Sequence, residues 1–394
     1  MNAPTETVGL LVVGGGPAAH AAAAAYREHG GDGPVLLVSD DDTPPYFRLS
    51  LSKDFLRGES EADDLPIGDL GADVRLGRTV TALLPHDRLA RLDDGRTVGY
   101  RRCVLATGAA PVRPSFPGAD LGLYLRTLDD ARRLRDRAAG ARSAVVVGSG
   151  FIGCEAAVSL ARRGLEVTIC SAEPLPQSVR LGDGVGARLA DWLTGDGVRF
   201  RGGAEVSGIE TPGHGLPGDR QIVHLRDGDP VAADLVLVAA GITPRAGLAA
   251  AAGLAIERDR IVVDEWMRTT ADHVLAAGDA VLARNAAAGR HLAVEHWDDA
   301  ETMGRIAGAT AAGQDAVWDS LPGFWTDIGD RTLQYTAWGD GYDEAAVTTH
   351  SGGGFTAWYR KEHTVVGVAT HLADEDYERG AELVRTGARS AGLP

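Results

Sequence analysis

Two copies of one glycine signature constrain this chain more than any other feature. "VGLLVVGGGPAAHAAAAAYREHGG" and "SAVVVGSGFIGCEAAVSLARRGLEVTIC" each read as an apolar strand, a tight turn and a helix. The spacing is Gly14-x-Gly16-x-x-Ala19 in the first and Gly148-x-Gly150-x-x-Gly153 in the second. The first glycine makes the turn, the second lets the main chain approach a pyrophosphate, and the small third residue lets helix and strand pack closely. The helix that follows offers free N–H groups and the positive end of its dipole to the same pyrophosphate. Val8 to Val13 has the character of a buried strand, and Ala18 to Tyr26 is dominated by the strongest helix former. A single signature is weak evidence, because a glycine-rich turn needs no ligand. Two of them, each in a complete strand–helix–strand context, predict two dinucleotide sites in one α/β chain. The most economical occupancy is FAD in one site and a nicotinamide dinucleotide in the other.

Other strand ends fit that expectation. "VLLVSD" brings Asp40 to the position where a carboxylate accepts the ribose hydroxyls of adenosine. "CVLATGAAP" runs a strand into Thr107 and Gly108, and "DLVLVAAGITP" repeats the pattern. "HVLAAGDAV" places Gly278 and then Asp279 at a strand end, where the carboxylate is suited to a ribityl hydroxyl. At the second glycine turn the strand closes on Ser171, with Glu173 two residues on and no basic neighbour. Glu173 would repel a 2′-phosphate, so NADH is expected over NADPH.

Composition narrows the function classes. A net charge of −16 argues against nucleic acid or an anionic membrane surface as the main partner. No apolar run reaches the length of a membrane span, and the N-terminus lacks the pattern of a signal peptide, so a cytoplasmic enzyme of two or three domains is expected. Cys103, Cys154 and Cys170 are spaced for neither a zinc site nor a disulfide framework and read as buried small residues. Of 39 basic residues only Lys53 and Lys361 are lysines. A compact ammonium at Lys53, in "PPYFRLSLSKDFL", therefore stands out in a chain that otherwise uses arginine.

"GGGPAA", "PPYFRLSLSK", "LATGAAP", "GSGFIGCE", "AAGDA", "EHWDDA" and "FWTDIGDRTLQYTAWG" together resemble the FAD-dependent, NAD(P)H-linked ferredoxin reductases of oxygenase systems and the related apoptosis-inducing factors. The resemblance spans nearly the whole chain. It implies an α/β fold with two Rossmann-like dinucleotide-binding domains in the glutathione-reductase-like arrangement, plus a C-terminal α/β domain. The implied boundaries are 1–112 with 243–318 for FAD, 113–242 for NAD(P)H and 319–394 for the last domain. It also implies that Arg48 and Lys53 approach the flavin, with Lys53 beside N5. Asp279 would hold the ribityl chain, Trp297 would lie by the isoalloxazine, and Glu155 would point toward Lys53. Glu295 and His296 precede Trp297, and His296 reads equally as a donor to the flavin pyrimidine or to a substrate and as simple packing. Trp325 reads equally as part of an aromatic route or as core. The family usually carries two prolines where Leu49 and Ser50 stand, which leaves the geometry of this loop open.

Disulfide-reducing relatives keep a thiolate beside the flavin, and "RLSLSKDFL" contains no cysteine. Electrons are thus expected to leave directly from flavin. The resemblance suggests a ferredoxin-type iron–sulfur acceptor serving a P450 or an oxygenase. A small-molecule acceptor and a redox-dependent interaction protein are the alternatives. Docking an acidic ferredoxin would want a local basic patch, for which Arg48, Arg305 and Arg331 are the candidates. The arginine-rich stretch "DDARRLRDRAAG" reads instead as the solvated face of a helix.

Overall fold

The computed structural model describes residues 4–68, 71–211 and 220–388. Among them the helices are α1 (Pro17–Glu28), α2 (Asp54–Arg57), α3 (Leu128–Ala139), α4 (Phe151–Arg162), α5 (Ser178–Gly195), α6 (Gly247–Ala251), α7 (Trp297–Ala311) and α8 (Asp374–Thr386). Packing divides the chain into two units. One comprises Met1–Phe47, Leu65–Ala110 and Thr243–Gly323, and the other Arg48–Asp64, Pro111–Ile242 and Phe324–Pro394. Both are α/β, and each has a parallel sheet of dinucleotide-binding type, as the glycine signatures predict.

In the first unit the central strand Glu6–Val13 is buried from Val8 onward. It lies parallel between Val35–Val38 and Thr97–Leu105. Thr97–Leu105 has two partners on its other side. Its start pairs antiparallel with Leu89–Leu92, and its end pairs parallel with Val274–Ala276. A second sheet is built from Ile256–Glu257, Arg260–Val263, Val281–Asn285 and Arg290–Leu292. Helices α1 and α7 pack without intervening side chains. A Cβ on Gly304 would collide with the Ala18 carbonyl, and one on Gly308 with that of Ala22. The alanine run that favours α1 as a helix is thus also what lets α7 approach it.

In the second unit Ser143–Val147 lies parallel between Glu166–Cys170 and Leu235–Val238, with Arg199–Arg201 on the outer edge of Glu166–Cys170. Val145 and Val147 join Tyr124, Ile209 and Val223 in one apolar core. Helix α3 begins with a reciprocal cap: the Thr127 hydroxyl accepts from the Asp130 N–H, and the Asp130 carboxylate accepts from the Thr127 N–H. Its arginine face carries local pairs, Arg133 binding both Asp129 and Asp130. The C-terminal part is an antiparallel sheet in the order Gly323–Ile328, Arg331–Ala337, Thr364–His371, Phe355–Lys361, Glu344–Thr349. Helix α8 packs on this sheet, and Gly380 leaves room for Val368.

Candidate functional site

In the first unit, strand Glu6–Val13 ends on a glycine whose φ is 134°, a conformation only glycine adopts without strain. A Cβ at Gly14 would strike the Ala106 carbonyl, whereas one at Gly16 would meet nothing within 4 Å. The two glycines therefore do different jobs. Gly14 lets neighbouring strand ends converge, and Gly16 keeps open space in front of the N-terminus of α1. Pro17 starts that helix, no acidic residue stands in its first turn, and Ala19 is fully buried against the strand. An open main-chain cradle at a positive dipole end fits a dinucleotide pyrophosphate.

Around that cradle the structure gathers several expected residues. Asp40, two residues past Val38, is half-exposed and receives the Arg245 guanidinium at 2.7 Å. Arg245 is in turn fixed by Thr107 and Gly108. The Thr107 hydroxyl donates to the Arg245 carbonyl at 2.7 Å, and the Arg245 N–H donates to the Gly108 carbonyl at 2.8 Å. Gly278 follows Val274–Ala276 and lies against Ala18 and Ala300. The main-chain oxygen of Asp279 accepts from buried Arg260, which also binds Glu295. His296 precedes α7, and Trp297 opens it, edge-on to Phe47 with ring centroids 4.9 Å apart. Arg305, further along the helix, pairs with Glu301.

Asp299, in the first turn of α7, is buried. Desolvation pushes its carboxyl up to about 7; Asp298 adds to the rise, and the N–H of Gly323 opposes it.

In the second unit the same construction recurs. Gly148 takes φ 104°, and a Cβ there would strike the Ala239 carbonyl. A Cβ at Gly150 would meet only the Gln177 amide at 3.8 Å, so this cradle is open too. Gly153 faces the Gly148 carbonyl, where a larger residue would push helix and strand apart. A ring of side chains borders the turn. Ser149 and Ser171 share a hydroxyl–hydroxyl bond of 2.7 Å, and Ser171 accepts from the N–H of Glu173 at 3.1 Å. Glu173 accepts from the N–H of Val179 at 3.1 Å and from Ser178, which holds its carboxylate at the start of α5. Gln177 returns a bond to the Ser149 carbonyl.

The lysine segment belongs to this unit. Residues Arg48–Ser52 form a 3₁₀ turn, so Leu49 and Ser50 take up a defined conformation without the prolines of the family pattern. Lys53 Nζ lies 3.1 Å from Glu155 Oε1 and donates to the Leu49 carbonyl at 3.2 Å. Both side chains are nearly buried, at 12% and 7% exposure, so each offsets a charge that would be costly alone. Two hydroxyls complete the shell: Ser52 donates to Glu155 Oε2 and Thr326 to Oε1, both at 2.6 Å. Arg48 donates to the Arg126 carbonyl at 3.3 Å. Trp325 points out of its strand, 39% exposed, while Phe324 and Thr326 face inward. Arg331 binds Asp196 at 2.7 Å.

Ser52, Thr326, Arg245 and Arg260 were not singled out by the sequence. Each acts through a partner far along the chain or through main-chain atoms, and a lone hydroxyl or arginine leaves no local pattern. All three cysteines are buried and unpaired. Burial raises the thiols of Cys103 and Cys154 far above the usual range and that of Cys170 to about 11. Among the described residues no helix is long and apolar enough to cross a membrane.

The family model for pyridine nucleotide-disulphide oxidoreductases matches residues 9–315. The chain is 34% identical over 299 residues to the ferredoxin–NAD(+) reductase component of the anthranilate 1,2-dioxygenase system of Burkholderia cepacia, covering 74% of this chain and 72% of that one. A solved ferredoxin reductase from Rhodopseudomonas palustris matches with a TM-score of 0.88 at 29% identity, over 97% of this chain and 96% of that one. Putidaredoxin reductase, solved in a covalent complex with putidaredoxin, gives 0.89 at 26% identity over 98% and 94%. With two open glycine cradles and a family match over most of its length, this chain belongs to the pyridine nucleotide-disulphide oxidoreductases.

Proposed function

We propose that this protein is an FAD-dependent reductase that takes hydride from NADH and passes electrons to a ferredoxin-type iron–sulfur protein serving a P450 or an oxygenase. One observation carries the reading. The segment "RLSLSKDFL", which by family resemblance corresponds to the one where disulfide-using relatives keep a thiolate, contains no cysteine, and the chain's three cysteines are buried with raised pKa values. A thiol relay is therefore not available, and an acceptor must draw on the flavin itself. The relatives' names point the same way, since they are reductases of ferredoxins or of putidaredoxin.

FAD, when bound, supplies two-electron uptake and one-electron release, and the protein's work is to bind, orient and balance charge. Gly14, Gly16 and Ala19 would seat its pyrophosphate on α1. Asp40 would take the adenosine ribose, sharing its carboxylate with Arg245; Thr107, Gly108 and Gly278 would line the main-chain path, and Asp279 would hold the ribityl chain. Glu295, His296 and Trp297 are assigned to the isoalloxazine end. Gly148, Gly150 and Gly153 would seat the nicotinamide dinucleotide on α4, with Glu173 discouraging a 2′-phosphate. To Lys53 we assign the positive charge that balances the flavin once it holds electrons, and to Glu155 the fixing of that ammonium. The discontinuous FAD domain (1–112 with 243–318), the NAD(P)H domain (113–242) and the C-terminal domain (319–394) are part of the same proposal.

A small-molecule acceptor is the second reading. The exposed Phe47 ring, edge-on to Trp297, favours it, because it offers an apolar aromatic contact to such an acceptor. Stopped-flow reduction by NADH and by NADPH, followed by mixing with several ferredoxins, with a quinone and with oxygen, separates the two. Rapid oxidation by a ferredoxin is expected. Turnover of the quinone with every ferredoxin inert would sink the first reading.

A further inference from the structure

We propose that Thr326, on the strand Gly323–Ile328, is a positioning residue for flavin reduction, acting on Glu155 and through it on the Lys53 ammonium. The proposal rests on the assignment of Lys53 to the flavin given above, and it adds a support from a part of the chain that neither glycine signature reaches.

Three donors converge on one buried carboxylate. Thr326 Oγ1 and Lys53 Nζ share Oε1, at 2.6 and 3.1 Å, and Ser52 Oγ holds Oε2 at 2.6 Å. Ser52 is the neighbour of Lys53 in sequence, and its own carbonyl is held by the hydroxyl of Ser159 at 2.7 Å. Ser52 and Lys53 therefore move as one segment and cannot fix the carboxylate independently of each other. Thr326 is the donor that comes from elsewhere.

The geometry of its strand suits the task. Phe324 and Thr326 lie on one face, two residues apart, which in a strand is about 6.7 Å. Phe151 and Glu155 lie one turn apart on α4, about 6 Å along the axis. The two spacings match, and both pairs meet. The Phe324 and Phe151 rings are 4.7 Å apart, and the Thr326 hydroxyl reaches Glu155. The strand is thereby keyed to α4 at two points. A β-branched side chain in a strand has little rotational freedom, so the Thr326 hydroxyl is aimed by the backbone. Lysine, by contrast, has a flexible stem and holds its place only as well as its anchor does.

The test compares Thr326→Val, which removes the hydroxyl and keeps the shape, with Thr326→Ser, which restores the hydroxyl, both in the FAD-loaded protein. Thr326→Val is expected to slow flavin reduction by NADH about tenfold with little change in KM, and to lower the flavin midpoint potential. Thr326→Ser is expected to return both toward the parent. In a Glu155→Gln background, which keeps an acceptor oxygen but removes the charge that holds Lys53, the Thr326→Val change should have a much smaller effect. An unchanged rate and potential in Thr326→Val would overturn the proposal, as would an undiminished effect in the Glu155→Gln background. Lys53→Met serves as the reference. If it leaves reduction unaltered, the flavin assignment of Lys53 fails and the proposal with it. If it slows reduction while Thr326→Val does not, only the role of Thr326 is lost.

Discussion

Tyr359 donates its hydroxyl proton to the main-chain carbonyl of Leu181 at 2.9 Å, across 178 positions of sequence. Both residues are buried. The bond has a local cause: Gly182, with φ 77° and ψ 165°, interrupts α5 just after Leu181. A buried carbonyl beside a helix break needs an outside donor. Tyr359→Phe removes that donor and keeps the ring. It is expected to destabilise the protein by about 1–3 kcal/mol in chemical denaturation. A loss near zero would mean that the Leu181 carbonyl is satisfied in some other way.

Gly14 and Gly16 should respond to the same substitution in opposite ways. Gly14→Ala introduces a Cβ into the Ala106 carbonyl at a φ that alanine resists, so poor folding and low soluble yield are expected. Gly16→Ala fills only open space. It should fold with an unchanged circular dichroism spectrum and lose FAD, measured as flavin absorbance per protein after gel filtration. Full flavin retention in Gly16→Ala would remove the pyrophosphate from this cradle.

Asp299 makes stability depend on pH in a direction unusual for an aspartate. Its folded-state carboxyl is raised to about 7, chiefly by burial, against an ordinary value near 3.9. The folded state therefore holds the proton more tightly than the unfolded state does. The stabilisation is complete below about pH 4, falls as pH rises toward 7, and is gone above that. Each tenfold difference in proton affinity between the two states is worth about 1.4 kcal/mol. Asp299→Asn should flatten that slope and melt higher than the parent at pH 8, with little difference at pH 4. Parallel melting curves across the range would contradict it.

If NADH is the donor, as proposed, Glu173 is the residue that discourages a 2′-phosphate. Its carboxylate is held at the start of α5 by Val179 and Ser178, so its charge stays beside the second glycine turn. Glu173→Gln keeps an acceptor oxygen and removes the charge. The ratio of kcat/KM for NADPH to that for NADH should rise about tenfold, equivalent to roughly 1.4 kcal/mol. A ratio that does not move would place 2′-phosphate discrimination on other residues.

How much of this was readable in the sequence depends on how local each cause is. Gly14, Gly16, Gly148 and Gly150 announce themselves because a turn and its close approach are completed within six residues. Lys53 stands out by the scarcity of lysine, but its pairing with Glu155 rests on family resemblance, because nothing near either residue names the other. Thr326 and Ser52 carry no local mark: a hydroxyl acquires meaning only when folding brings it to a carboxylate 171 or 103 positions away. Arg245 is the same case, 205 positions from Asp40. The glycines at 182, 184 and 186 did carry a signal. In a helix they mark a break or a close neighbour, and here Gly182 is the break while Val347 lies against Gly184.

The contact of α1 with α7 limits how this protein can change length. Gly304 and Gly308 rest on the carbonyls of Ala18 and Ala22 with no side chain between. Adding or deleting one residue within α7 ahead of Gly304 would turn the helix by about 100° and bring a bulkier side chain onto α1. Single-residue insertions in the surface turn Ala286–Gly289 should be absorbed, whereas those between Trp297 and Gly304 should abolish the fold. The register of α7 against α1 is therefore fixed to the residue, while the turn at 286–289 is not.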